Sequence, residues 1–87
     1  MPHRANPSRP PSAPELVALG AAARFLRARY ACSQERLGLN AGLHRNYVGA
    51  IERAEVNPTY LTLRRLASGL DVPLSELVLH AETTYCP

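Results

Sequence analysis

Five blocks of apolar residues at spacings of three and four run along this 87-residue chain, each marking one face of a helix. In the first block Leu16, Leu19, Ala23, Leu26 and Tyr30 form a core stripe with Arg27 at its border, predicting a helix from Pro14 to about Tyr30. Pro14 suits a first turn, where a missing N–H does no harm. Phe25 lies off the stripe and is expected either to cover a side of the bundle or to meet a partner. A second helix opens at Ser33, whose hydroxyl can cap a first-turn N–H, and has Leu37 as its core residue. Gly42 then supplies a left-handed turn that a Cβ would resist. Thr59 is the expected cap of a fourth helix, after Asn57, which Pro58 holds extended; Leu63, Leu66, Ala67 and Leu70 have core spacing. Pro73 opens a short fifth helix, Leu74 to about Leu79, in which Leu77 packs inward. Leu74, Val78 and Leu79 cannot all do the same in so short a segment. They are the candidate dimer interface, and covering the first helix is a competing use for them.

The third block differs in kind. Its helix is opened by His44 and runs from Arg45 to about Arg53. At about 100° per residue, Val48 and Ile51 fall on one side with Glu52 at the edge. Arg45, Asn46, Gly49, Ala50 and Arg53 gather on the other. Two guanidinium groups, a carboxamide and two residues with almost no side chain suit a helix that presses its backbone into the major groove of DNA and reaches base edges. Glycine inside a helix costs about 1 kcal/mol relative to alanine, which close approach would offset. A merely solvated polar face accounts for Arg45, Asn46 and Arg53 about as well when they are taken alone. Arg27, beside an apolar stripe, needs a partner, and Glu52 is the best-placed acid.

Together, Ser33-Gln34-Glu35, the Ala41-Gly42-Leu43 turn and Ile51-Glu52-Arg53 resemble the Cro and phage-repressor type of helix-turn-helix, the XRE family, over roughly Leu19 to Val78. The resemblance implies an all-α fold, a compact five-helix bundle of the lambda-repressor-like kind that binds operator DNA, usually as a two-fold dimer. It also implies roles by residue. Gln34 matches the glutamine that opens the second helix, contacts a phosphate and buttresses the recognition helix. Arg45, Asn46 and Ala50 match base-reading positions, and the open helix face adds Gly49 to them. Tyr47, Arg53, Asn57 and Thr62 fall at or near backbone-contacting positions. Arg27 and Glu52 match a partly buried ion pair. Gly38 matches a small residue where two helices cross closely. Cys32 stands between the first two helices at a position that is often leucine in the family and is expected to be a small buried residue. Ala54 departs from the pattern, standing where the family usually has glycine. Either it is strained at positive φ, or the helix ends differently and shifts the Asn57 loop.

Composition narrows the reading. One domain of this length buries roughly 60% of its unfolded surface, so the core is thin and dimerisation would help. The folded domain is expected at 14–80, with a proline- and arginine-rich disordered tail at 1–13 and a frayed tail at 81–87. The first tail holds Arg4 and Arg9 and is either an arm along the DNA or uninvolved. From Arg24 to Arg65 eight arginines face three glutamates, a net of +5, whereas beyond Arg65 there are only the acids Asp71, Glu76 and Glu82. A basic middle and an acidic end suit a protein that offers one surface to phosphates. All ten basic residues are arginine, as bidentate phosphate and guanine recognition favours and as codon bias would also produce.

Neither an apolar run of membrane-spanning length nor a signal-peptide segment is seen, so a cytoplasmic location is expected. Cys32 and Cys86 form no disulfide framework, and no Cys/His spacing suggests zinc. With a single Asp, and His3, His44 and His80 far apart, the sequence offers no catalytic constellation; no enzyme activity, cofactor, metal or small-molecule ligand is expected. His44 is read as a helix cap or phosphate contact. Two functions remain open. One is a transcriptional regulator, a repressor or autoregulator, that reads a pseudo-palindromic operator as a homodimer. The other is an antitoxin-like protein-interaction module on the same fold, which an apolar groove or an ordered tail would favour.

Overall fold

The structure, a computed structural model, describes residues 13–85, with side chains as far as residue 83. Five helices follow in order: α1 Pro14–Arg29, α2 Gln34–Ala41, α3 Arg45–Glu52, α4 Tyr60–Gly69 and α5 Leu74–Tyr85. The expected disordered tail, Ala13 excepted, lies outside the described residues. α1 packs chiefly on α5 and also on α3, while α2 sits against both α3 and α4. Every helix supplies at least one fully buried side chain to a single core: Leu26, Leu37, Val48 with Ile51, Leu66 and Leu77. Burial of each is worth roughly 1.5–3 kcal/mol.

The N-termini follow the capping chemistry of their residues. Ser33 Oγ accepts from the Arg36 amide at 2.9 Å and Thr59 Oγ1 from the Thr62 amide at 3.2 Å. Between them, these two caps start the helices on either side of α3. Gly42, at φ 72°, ends α2 in the left-handed conformation.

Three other helix ends use residues less suited to that task. After α1, α3 and α4, Ala31, Ala54 and Asp71 lie at φ 52°, 60° and 59°. In each case the left-handed residue donates to a carbonyl three back and the next residue to one five back. Ala54 bonds Ile51 O at 3.0 Å and Glu55 bonds Ala50 O at 2.9 Å; Ala31 with Cys32 and Asp71 with Val72 repeat the pattern. This is the Schellman termination, normally built on glycine. Of the two alternatives for Ala54, the first therefore holds: it adopts the positive φ and bears its strain.

Several expectations need correction. Tyr30 is 52% exposed and caps α1 from outside the core, because the helix stops at Arg29. Leu16, Leu19 and Leu63 are half-buried, and the deeper α1 contacts are made by Ala18, Gly20, Ala22 and Ala23, small residues that let neighbouring helices come close. Cys32 is half-buried instead of buried. α5 does not fray after Leu79. Ala81 falls one turn after Leu77, is 7% exposed and carries the apolar stripe on, so the helix reaches Tyr85. Phe25 is half-exposed, with its ring 4.6 Å from that of His80, and so covers the α1–α5 seam.

The two left-handed alanines should respond differently to glycine. Relief of a conformation that costs a residue with Cβ about 1–2 kcal/mol, less the extra freedom glycine gives the unfolded chain, leaves a gain of roughly 0.5–1 kcal/mol for Ala31→Gly. Ala31 is exposed, whereas the Ala54 methyl is buried and its loss offsets the gain, so Ala54→Gly should be close to neutral. Urea denaturation of the two variants checks the contrast.

Candidate nucleic-acid interface

α3 is fixed from below by Val48 and Ile51, 0% and 1% exposed, and its rotation is set by Glu52. The Glu52 carboxylate is 1% exposed and takes a two-pronged hydrogen bond from Arg27 of α1, Nε to Oε2 at 2.6 Å and Nη2 to Oε1 at 3.0 Å. Gln34, the first residue of α2, donates its side-chain amide to Oε1 at 2.9 Å. Arg27 also reaches Cys32 O at 2.8 Å, tying down the α1–α2 connection. The hydrogen bond that Arg27 donates to Glu52 raises the Arg27 pKa above the usual arginine value, against the opposing effect of burial.

Arg24 adds a contact to the carbonyl of Glu52 at 3.3 Å while 58% of its side chain stays in solvent. Beneath it, Gly20 lets α1 cross the end of α3. A Cβ there would stand 2.5 Å from Glu52 O and 2.6 Å from Ile51 O, so no side chain fits without moving the helices apart.

The outward side of α3 carries the sequence-predicted residues, and the structure divides them. At its N-terminal end His44 is the cap, its Nδ1 accepting from the Asn46 amide at 3.0 Å. Arg45 and Asn46 are exposed, with Arg45 Nη1 3.9 Å from the Glu35 carboxylate. Ala50 and Tyr47 are half-buried, Tyr47 against the core. At the other end Arg53 caps the helix and is exposed; its guanidinium is gripped by Glu55 at 2.8 and 3.2 Å. Asn57 is exposed in the loop that follows. Thr62, half-buried in the first turn of α4, hydrogen-bonds through its hydroxyl to Thr59 at 3.1 Å.

Gly49 departs from the sequence reading. It is buried within the molecule and does not lie bare on the ridge, because Gln34 and Arg53 lie across it. A Cβ at this position would be 2.9 Å from Arg53 Nη1 and 3.3 Å from Gln34 Oε1. Close approach does offset the cost of a helical glycine, but the groups that approach are the protein's own. Sequence reasoning also missed Arg24, Gly20 and the Arg53–Glu55 pair. Arg24 could have been found, since it stands one turn before Arg27 on the same helix.

Leu74 and Val78 are half-buried and Leu79 is 65% exposed. Val78 borders an apolar groove of about 570 Å³ between α1, α4 and α5, lined with Leu16, Leu19, Leu63 and Ala81. Among the described residues no group of His, Cys, Asp and Glu is placed to hold a metal, and no helix is long and apolar enough to cross a membrane.

Two short helices locked by a shared glutamate, the second with its polar face outward, are the geometry of a helix-turn-helix. The family model described as Helix-turn-helix matches residues 24–77, more than half of the chain. The chain belongs to this family, of the XRE type, and is a DNA-binding transcriptional regulator. Among its relatives, control protein C.SmaI of Serratia marcescens is 46% identical over 46 residues, 53% of this chain and 55% of that protein, so the match spans about half the relative's length. The uncharacterized HTH-type transcriptional regulator y4dJ of Sinorhizobium fredii is 36% identical over 59 residues, 68% of this chain and 77% of that one. The crystal structure of the restriction-modification controller protein C.AhdI from Aeromonas hydrophila superposes with a TM-score of 0.71 at 40% identity, covering 72% of this chain and 96% of that one.

The buried network makes a graded prediction. Arg27→Ala leaves the Glu52 carboxylate inside the protein without its guanidinium and should cost about 3–5 kcal/mol. Glu52→Ala should cost less, because Arg27 keeps Cys32 O and is 18% exposed to water. Thermal melts should rank the two in that order, with DNA binding lost alongside folding. Gly49→Ala should separate the two properties. Better helix propensity, worth about 1 kcal/mol, should keep the fold at least as stable, while the displaced Gln34 and Arg53 ends weaken DNA binding.

Proposed function

We propose that this regulator reads a pseudo-palindromic operator as a homodimer, with α3 in the major groove. Arg45 and Asn46 at the N-terminal end of the helix and Ala50 further along it reach base edges, while Gly49 is the seat on which Gln34 and Arg53 lie. Gln34, His44, Tyr47, Arg53, Asn57 and Thr62 meet the phosphate backbone around it. The single supporting observation is that Arg45 and Asn46 are exposed at one end of a helix whose opposite side, Val48 and Ile51, is fully buried. An arginine and an amide so presented can each make bidentate contacts to a base, Arg to guanine and Asn to adenine. The likeness to C.AhdI, across nearly the whole of that protein, supports control of a restriction-modification system as the biological setting. The role assigned is in binding, with no reaction catalysed.

A homodimer would use the exposed Leu79 together with Leu74 and Val78. The apolar groove beside Val78, and a helix that continues to Tyr85, are the features that favour the second reading, a module whose main purpose is to hold another protein. Self-association accounts for both features while leaving α3 free for DNA, and we prefer it.

Selection of bound sites from random DNA tests specificity and symmetry together. Paired half-sites about one helical turn apart are the expected product. Unpaired sites, or no enrichment at low salt, would withdraw the reading. Arg45→Ala and Asn46→Ala should each cost about 1–3 kcal/mol at the selected site and relax preference at one base position. Gln34→Ala and Arg53→Ala should weaken all sequences alike, Arg53→Ala reducing the salt slope by about one unit. Equal loss on every duplex for Arg45→Ala would remove it from the base-reading set.

A further inference from the structure

Arg53 is placed for a phosphate but is already engaged. The Schellman turn after α3 puts Glu55 at the position whose amide bonds Ala50 O, and the carboxylate folds back onto the helix end. It takes Arg53 Nε at 2.8 Å and Nη2 at 3.2 Å, the same two-pronged geometry that a phosphate would use. The remaining nitrogen, Nη1, lies over Gly49. Both side chains are open to solvent, 55% and 41% exposed, so the pair can be exchanged without disturbing the core. Its mutual hold is visible in the protonation of both partners: the hydrogen bond raises Arg53 above the usual arginine value and lowers Glu55 below the usual carboxylate value.

We infer that Glu55 is an internal stand-in for a DNA phosphate, reserving Arg53 in the free protein so that binding to arbitrary DNA is weakened. The inference rests on the reading that Arg53 meets the DNA backbone. Every duplex offers phosphates, so an unpaired arginine at the edge of α3 would strengthen contact with any sequence. A carboxylate already on that arginine must be displaced first, and the pair enters the encounter with no net charge. Glu55 thus tunes how strongly the chain holds the backbone of any duplex, without itself touching the DNA.

The test measures anisotropy of a labelled mixed-sequence duplex with the full chain and with Glu55→Gln, Arg53→Ala and the double variant, across a range of salt concentrations. Glu55→Gln should tighten binding roughly two- to fivefold, the scale of an exposed ion pair, and steepen the salt dependence by about one unit. In the Arg53→Ala background the same change should give little or no gain. An equal gain in both backgrounds would mean that Glu55 acts only through its general field on DNA, and no gain in either would mean that it does not compete; both outcomes overturn the inference while leaving Arg53 as a backbone contact. Unchanged binding by Arg53→Ala itself overturns the backbone role and the inference with it. The altered side chains are exposed, and superimposable circular dichroism spectra establish that each variant is folded.

Discussion

A carboxylate that has left water must be paired, and the position of α3 follows from how Glu52 meets that requirement. Its partners come from two other helices, Arg27 on α1 and Gln34 on α2. Apolar burial of Val48 and Ile51 holds α3 against the core, but such burial is non-directional and tolerates rotation of the helix. A two-pronged guanidinium–carboxylate bond does not. The azimuth of α3, and so the direction in which Arg45 and Asn46 project, is set by a polar contact inside the protein that takes no part in the surface it orients.

Small residues make that contact reachable. Gly20 lets α1 pass directly over the last carbonyls of α3, bringing Arg24 and Arg27 within range of Glu52. Gly49 does the corresponding work on the outer side, leaving room for Gln34 and Arg53 to lie flat on the helix. Both glycines weaken their helices locally, and both costs are accepted for tertiary geometry. Ala31 and Ala54 tell a similar story at the helix ends. The Schellman hydrogen bonds and the buried neighbours around Ala54 hold a backbone conformation that alanine by itself disfavours. The turn that strains Ala54 is the one that returns Glu55 to Arg53, so a feature of backbone geometry determines which charges are paired at the helix edge.

The surface away from α3 has a different character. α5 spends Leu77 and Ala81 on α1 and leaves Leu79 in solvent, with Val78 at the rim of an apolar groove. Beyond Arg65 the charged residues are all acids, Asp71, Glu76 and Glu82, whereas eight of the ten arginines fall from α1 to α4.

Much of this was determined by the sequence alone. Spacing of apolar residues set five helices, Ser33, Thr59 and Gly42 set three of their ends, and the block from Arg45 to Arg53 showed one apolar and one polar side, because caps, turns and amphipathic periods are local properties. The pairing of Arg27 with Glu52 was legible too, since a charge beside each of two core stripes leaves few other solutions. What remained for the tertiary structure were relations between segments distant in the chain. Periodicity cannot say that Gly49 is covered by Gln34, that Gly20 is a crossing point, that Tyr30 faces water once α1 has ended, or that Ala81 finds α1 and extends α5. Each of these depends on how closely two helices approach, and that distance is decided by the whole core and by the one buried carboxylate at its edge.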